Sequence, residues 1–512
     1  VLRDRRSMPK RPAAAPTARA KRRSVVPGPP GPELGDGILL RLGCPRGAAV
    51  DPSQPPDELV TRLLSPLTRE QFLRSCWAER AMAVQGPPRR VAPLVASLAG
   101  LDLEAMLQET PSETVHAWLR CPPSAGGGPA SALRSVAVGA EAALGLRAAK
   151  AALYFRANEG LESCLVSAIC EGLGSGFAGL YPGDGQPRGE IETFVASEGH
   201  VTGWHTDFQH NFTFQLRGAK RWRFKKGPVK NNVRALTPHF ETRSNFEQQM
   251  KLHLMSEPSD DAYRPPDEFF MDAEEVELHA GGILYHPAGI WHHVECLGEE
   301  SISINVSLSC ATWADVVGDA VRQLFWASAQ LREPLVGLDA LPPAAVRQVV
   351  SQRLLEAKRR VNSMNVEDLL TPAMLDLPRL PGHINVSRSK LGNGLHVTQA
   401  SVLCFGQLAS LVELPGDATE SDEGIPKTAK RYALHINFGN EDVASWLRTQ
   451  LVVPKSLQLA VAWLRKRRSG AAEGKKLRNI TAKELLVASK ASWIQVLRLV
   501  RVLCYCGYLY VK

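Results

Sequence analysis

The sequence predicts an α+β protein built around a small β-barrel of the double-stranded β-helix type, with helices on either side and a further small domain at the end. Three observations predict it. Short runs of alternating apolar and polar residues, separated by glycine, crowd the stretch from His205 to Leu308, a spacing that suits a barrel more than an open sheet. Beyond residue 310 the apolar residues recur every three or four positions, the helical period. From about residue 386 strand-like and helix-like runs alternate again.

Taken in order, residues 1–55 read as a basic tail rich in Pro and Ala. Its first 24 residues hold nine Lys or Arg against one Asp, so of the net charge of +9 the other 488 residues carry only +1. Such a segment cannot bury enough apolar surface to fold and is expected to be disordered. Lys10-Arg11 followed by Lys21-Arg22-Arg23 has the form of a bipartite nuclear localisation signal. The Arg- and Ala-rich, acid-poor composition also has the form of an organelle transit peptide. A nuclear or nucleolar location is the first expectation and an organelle the alternative. The chain opens on Val1, so the sequence leaves its natural start open.

Residues 56–310 are assigned to the barrel and the helices before it. Phe208–Leu216 alternates aromatic and polar residues, Arg217-Gly218 reads as a turn, and Lys220–Phe224 as a second strand, which predicts a hairpin. Val276–His279, Ile283–Pro287, Trp291–Cys296 and Ser301–Leu308 are read as four more short strands. Residues 311–385 form a helical segment, with stripes at Trp313, Val316, Val317, Ala320, Val321, Leu324 and Phe325, then at Val346, Val349, Val350, Leu354 and Leu355. Pro372, Pro378 and Pro381 mark a connection.

Residues 386–512 are read as strands near Ala400–Phe405 and Tyr432–Phe438, helices over 440–450, 455–467 and 482–500, and a terminal strand containing Gly507. Short helices followed by such a strand suggest a winged-helix-like fold, which does not by itself establish nucleic-acid binding. Lys455 to Arg478 holds eight basic residues and one acid. That run is expected to be a solvated loop, with a ribosome or nucleic-acid contact as the sharper reading. No stretch approaches twenty apolar residues, so no membrane span is expected. The ten cysteines follow no zinc-finger spacing, which favours reduced thiols in an intracellular compartment.

The chemistry is concentrated in Gly203-Trp-His205-Thr-Asp207 and Trp291-His292-His293. On a strand, His205 and Asp207 share a face, and one histidine from a distant strand would complete two imidazoles and a carboxylate around one metal. That arrangement leaves positions open, as on non-haem Fe(II). Neighbours on a strand face opposite ways, so at most one of His292 and His293 can serve. Structural zinc, the alternative, prefers four ligands rich in cysteine.

Thr202, His205, Asp207, Asn211, Gly218, Lys220, the segment Gly282–His292 and Asn305 together resemble the JmjC or cupin-like family of Fe(II)- and 2-oxoglutarate-dependent oxygenases, over roughly residues 185–310. Residues 66–84 are similar to the entry segment of such domains. The resemblance implies that His205, Asp207 and His292 bind Fe(II), with His292 chosen because it follows the Pro287-Ala-Gly289 step. It implies that Lys220 and Thr202 bind the far carboxylate of 2-oxoglutarate and that Asn211 and Asn305 lie near its metal-bound end. A dry pocket would need a cation such as Lys220 to hold that carboxylate; read without the family, Lys220 is equally a solvated edge-strand lysine. His210 and His293 are left as structural or surface residues. Dioxygen is the other implied cosubstrate, with succinate and carbon dioxide as products. In such relatives the helices after the barrel build a homodimer, and the order of barrel, helices and winged helix is similar to that of the ribosomal oxygenases.

Three functions follow. The first is hydroxylation of a side chain on a ribosomal or other basic protein. The second is histone-lysine demethylation, disfavoured because no Cys/His-rich reader module accompanies the barrel. The third is a non-catalytic scaffold that binds ribosomes or nucleic acid, against which an intact triad and Lys220 count. Thr206 between the ligands departs from the tyrosine of the ribosomal oxygenases, and Trp291-His292-His293 is closer to asparaginyl hydroxylases.

Overall fold

The computed structural model describes residues 37–120, 133–174, 189–227, 231–232, 235–236, 265–310, 312–369, 372–375, 383–417, 428–435, 449–472 and 478–512. All of them fall in the unit Gly37–Lys512. The basic segment 1–24, with Lys10-Arg11 and Lys21-Arg22-Arg23, lies outside the described residues.

Leu39–Gly43 (β1) pairs in parallel with Ala81–Gln85 (β2), so a tail drawn to residue 55 is too long. The partner lies some forty residues on, which local composition does not reveal. Helices α1 (Pro56–Leu64), α2 (Arg69–Ser75), α3 (Ala92–Ser97), α4 (Leu103–Glu109), α5 (Ala140–Ala148) and α6 (Glu159–Leu173) surround the start of the sheet. A proline at its first turn, with Asp57 and Glu58 beside it, starts α1, where a missing N–H costs nothing and negative charge suits the helix dipole. The Thr68/Gln71 capping box starts α2. The first and last of these helices meet closely: a Cβ on Gly172 would lie 2.4 Å from the Pro56 carbonyl oxygen.

Among the described residues, β1 and β2 join β3 (Val115–Arg120), β4 (Leu133–Val138), β5 (Ala152–Arg156), β6 (Gly189–Ser197), β7 (Val201–His205), β8 (His210–Lys225), β9 (Glu274–His279), β10 (Ile283–His286) and β11 (Trp291–Leu308). The sheet runs β1-β2-β10-β8-β11-β6-β5-β3-β4, with β7 also on β11 and β9 also on β8.

Two expectations about this sheet are corrected. Phe208–Leu216 and Lys220–Phe224 are not the arms of a hairpin; residues 210–225 are one strand. Trp291–Cys296 and Ser301–Leu308 likewise belong to one strand. The cause is the same in both. β8 and β11 pair with each other from Trp291↔Lys225 to Leu308↔His210, with register shifts between Leu297 and Ser303, so what reads as a turn is a bulge in a continuing ladder. Gly218 has φ 68° there, and a Cβ on it would fall 2.0 Å from the Glu300 carbonyl oxygen. Glycine marks a close backbone approach at this position, not a chain reversal.

The helices α7 (Trp313–Trp326) and α8 (Pro343–Asn362) follow the expected stripes, the first opened by a Thr312/Asp315 capping box. Strands β12 (His383–Asn385), β13 (Val402–Phe405), β14 (Ser410–Asp417), β15 (Lys430–His435) and β16 (Gln450–Val453), helix α9 (Lys455–Ala472), strand β17 (Ile480–Thr481), helices α10 (Ala482–Ser489) and α11 (Trp493–Tyr505), and strand β18 (Leu509–Val511) make up the rest. β12 pairs with β16, so the helical segment ends before residue 383, not at 385. One sheet runs β12-β16-β15-β14 and another β17-β13-β18, around a shared core that includes Leu403, Leu451, Leu464, Leu485 and Leu503.

The single helix expected over 482–500 is two, because Lys490 takes a left-handed φ of 59° and Ser492 with Gln495 caps a new start. The expected helix over 440–450 lies outside the described residues except at its end, where Gln450 opens β16. The basic run, expected as a loop, is helical over Lys455–Ala472. Arg465 and Arg468 sit on α9 and turn inward, to the Glu413 carboxylate at 2.6 Å and the Gln407 carbonyl oxygen at 3.1 Å. No helix among the described residues is long and apolar enough to cross a membrane. The described cysteines are free thiols.

Candidate metal centre

β7 ends at His205, and β11 lies antiparallel beside it with His292 directly opposite. Thr206 turns the other way and is buried at 1% exposure, so the alternation of an extended chain returns Asp207 to the side of His205. The result is a cluster in which one ligand atom from each of His205, Asp207 and His292 lies within 4.8 Å of the others. The Asp207 Oδ2 is 3.5 Å from His292 Nε2, and the two imidazole rings have centroids 3.9 Å apart.

The surroundings suit a divalent metal. Nδ1 of His205 donates to the Gly203 carbonyl oxygen at 2.7 Å, and Nδ1 of His292 to that of Ile290 at 3.2 Å. Each bond selects the tautomer whose Nε2 carries a lone pair, the usual support of a metal-binding histidine. Asn211 Nδ2 donates to Asp207 Oδ2 at 2.8 Å. Burial raises the Asp207 carboxyl above its ordinary range, opposed by the neighbouring His205 and by the Asn211 amide. A cation at the shared point would reverse that penalty. Two neutral imidazoles and one carboxylate, none of them cysteine, match the donor set of an open Fe(II) site.

The cluster opens into a cavity of about 770 Å³ that also exposes Thr202, Lys220 and Asn305. Lys220 is on β8, opposite Cys296 of β11; it is 6% exposed and donates to the Ser303 hydroxyl at 2.6 Å. Its ammonium lies 5.2 Å from the Phe194 ring centroid. Burial pushes its pKa down to about 8, with the Cys296 thiol acting the other way. The edge-strand reading therefore does not describe Lys220, which is enclosed and faces the cavity.

His210 and His293 are elsewhere. His210 stacks on Trp77 at 4.0 Å, its Nδ1 is 2.9 Å from the Tyr285 hydroxyl, and burial holds its pKa near 4. His293, beside a metal-facing neighbour, leans on Trp204 at 5.4 Å. Sequence reasoning passed over three residues at this site. His286 is 1% exposed, lines the cavity and lies 4.4 Å from the His292 ring; burial, then the neighbouring His205, lowers its pKa to about 3, keeping it neutral. Glu192 and Tyr154 also line the cavity and bond to each other at 2.7 Å. A polar residue in an otherwise apolar strand was the available signal for His286. Nothing local marks the other two.

Residues 173–307 match the family of the cupin-like domain. Among curated proteins none matches the chain significantly. Among solved structures, the chain is similar to the X-ray structure of YcfD from Escherichia coli at 14% identity, covering 87% of this chain and 98% of that one with a TM-score of 0.35. It is also similar to YcfD described as a ribosomal oxygenase in complex with cobalt and 2-oxoglutarate, at 13% identity over 87% and 99% of the two chains and a TM-score of 0.32. A structure of the DMSP lyases RdDddP and RnDddQII is similar at 11% identity over 24% of this chain and 38% of that one, with a TM-score of 0.14. Likenesses this low speak to neither activity nor substrate.

Proposed function

We propose that this chain, which contains a cupin-like domain over residues 173–307, is an Fe(II)- and 2-oxoglutarate-dependent oxygenase that hydroxylates a side chain on a ribosomal or other basic protein. One observation carries the reading: two imidazoles and a carboxylate converge inside a cavity that also holds a buried lysine. When bound there, Fe(II) supplies the redox centre at which 2-oxoglutarate and dioxygen are consumed to oxygenate the substrate. His205, Asp207 and His292 would hold the metal through two imidazoles and a carboxylate. The Lys220 ammonium and the Thr202 hydroxyl receive the far carboxylate of 2-oxoglutarate, and a charge-assisted bond in a dry pocket offsets the cost of stripping that anion of water. Asn211 and Asn305 fix the metal end of the cavity. Phe194 and Trp222 wall it with apolar surface, which strengthens each of these electrostatic contacts.

The substrate class rests on the order of barrel, helices and final domain, which is similar to that of ribosomal oxygenases, and the final domain is read as winged-helix-like. Purified protein given Fe(II), 2-oxoglutarate and ribosomal proteins or histones is expected to release succinate and to add one oxygen atom to a ribosomal protein by mass spectrometry. Loss of a methyl group from a histone would replace this reading with demethylation. A metal-loaded protein that releases no succinate with any of them would leave only a scaffold. The basic tail supports a nuclear or nucleolar location, which a tagged chain with and without Lys21→Ala, Arg22→Ala and Arg23→Ala would test by microscopy; unchanged distribution removes it.

A homodimer is part of the same reading. α8 extends over 20 residues without burying one, and it shows Val350, Leu354 and Leu355 at 53%, 51% and 66% exposure; on α7, Trp313 is 70% exposed. An apolar surface of this kind favours a self-complementary partner. Sedimentation is expected to give twice the chain mass, and the double variant Leu354→Glu, Leu355→Glu a monomer; a wild-type monomer at micromolar concentration would refute the dimer.

A further inference from the structure

Between the cavity wall and the metal ligands lies an unbroken line of hydrogen bonds contributed by four strands and the loop after β7. The Tyr154 hydroxyl on β5 donates to Glu192 Oε1 at 2.7 Å. On the other oxygen, Glu192 Oε2 accepts from Asn305 Nδ2 at 3.0 Å and from the Ser307 hydroxyl at 2.9 Å. Asn305 Nδ2 also donates to Asn211 Oδ1 at 3.1 Å, and Asn211 Nδ2 in turn to Asp207 Oδ2 at 2.8 Å. The register that builds this line is Tyr154↔Phe194 and Asn305↔Glu192, in neighbouring strand pairs.

We propose that Glu192 is a positioning residue for the metal: acting through Asn305 and Asn211, it fixes which way the Asp207 carboxylate presents its oxygens. The argument is one of polarity. An amide can turn either end outward, because its oxygen and nitrogen are nearly the same size, but a carboxyl oxygen that bears no proton only accepts; burial raises the pKa of Glu192, yet its Oε2 takes hydrogen bonds from both Asn305 and Ser307 and so acts as such an acceptor. With Glu192 at one end, Asn305 must offer its NH₂. The Thr213 hydroxyl, which can donate or accept, donates to Asn305 Oδ1 at 3.0 Å and so satisfies the other end of the same amide. Asn305 then meets the oxygen of Asn211, and Asn211 is left with its NH₂ toward Asp207. The carboxylate that would bind the cation receives a donor on Oδ2, so its lone pairs are aimed before any metal arrives. Residues that orient a metal ligand in this way commonly change affinity by about 10- to 100-fold when removed.

The inference rests on the metal reading above, so the test measures binding directly, without turnover. Co(II), titrated into the full chain in the absence of 2-oxoglutarate and followed by its ligand-field absorption, is the probe. Glu192→Leu is expected to weaken Co(II) binding by roughly 10- to 100-fold, whereas Glu192→Gln, which still places an amide oxygen toward Asn305, is expected to stay within about threefold of wild type. Should Glu192→Leu not fold, Asn305→Ala interrupts the same line and leaves Tyr154 and Ser307 on Glu192; it is expected to lose as much. Wild-type affinity in a folded Glu192→Leu or Asn305→Ala, or a loss in Glu192→Gln equal to that of Glu192→Leu, would overturn the proposal. A wild-type chain that binds no Co(II) would instead refute the metal site.

Discussion

His205→Ala or Asp207→Ala is expected to remove at least about a thousandfold of succinate-forming turnover, some 4 kcal/mol of transition-state stabilisation, while the protein melts within a few degrees of wild type. Both halves of the expectation follow from the site. The half-buried His205 imidazole and a carboxylate whose pKa burial has raised contribute little to the apo fold. Phe212, Phe214, Ile283 and Leu284 of the adjoining strands, by contrast, are fully buried and carry the packing. Turnover would need all three ligands, because each one removed weakens the hold on the metal and changes its donor set. Turnover and thermal unfolding measured on the same preparations decide the matter. A variant that unfolds at room temperature would identify a structural metal, and one that keeps its turnover would remove the residue from the site.

Lys220→Ala is expected to raise the 2-oxoglutarate KM by at least roughly thirtyfold, the lower end of the 2–5 kcal/mol that truncating one partner of a buried charge pair costs. Turnover at saturation should fall less. The lysine also predicts a pH dependence. Its pKa, brought down to about 8 by burial, means that below pH 8 the free enzyme already carries the cation the cosubstrate needs. Above pH 8 a proton must be taken up on binding, so affinity should fall by up to about tenfold per pH unit. Lys220→Arg, which stays charged, should flatten that limb whatever its absolute affinity. Unchanged cosubstrate affinity in Lys220→Ala, or a KM independent of pH between 7 and 9.5, would take Lys220 out of its assigned role.

Much of the site was legible because its signals are local. The alternation that puts His205 and Asp207 on one side requires only that the chain be extended, and Thr206 facing the opposite way satisfies it. That at most one of His292 and His293 can serve follows from the same geometry, while the family resemblance singled out His292; His293 does turn aside to Trp204. The helical stripes of α7 and α8 depended on nothing beyond their own spacing. Errors arose where a local signal met a distant partner. Gly218 has the left-handed backbone of a turn, yet β8 continues because β11 and β9 hold it on both sides. The Arg465–Arg468 run has the composition of a solvated loop, but Glu413 and the Gln407 carbonyl oxygen draw two of its members inward.

The sequence by itself determined which residue types could meet a metal and which stretches could be strand or helix, since both are properties of spacing along one chain. It could not say whether Lys220 faced water or a cavity, and it gave no reason to single out Glu192, Tyr154 or His286. Those answers depend on register: Lys220 against Cys296, Glu192 against Asn305, His286 against Asn211. A slip of one residue would send each to the opposite face of the sheet, and register is settled only when strands far apart in the chain are packed together.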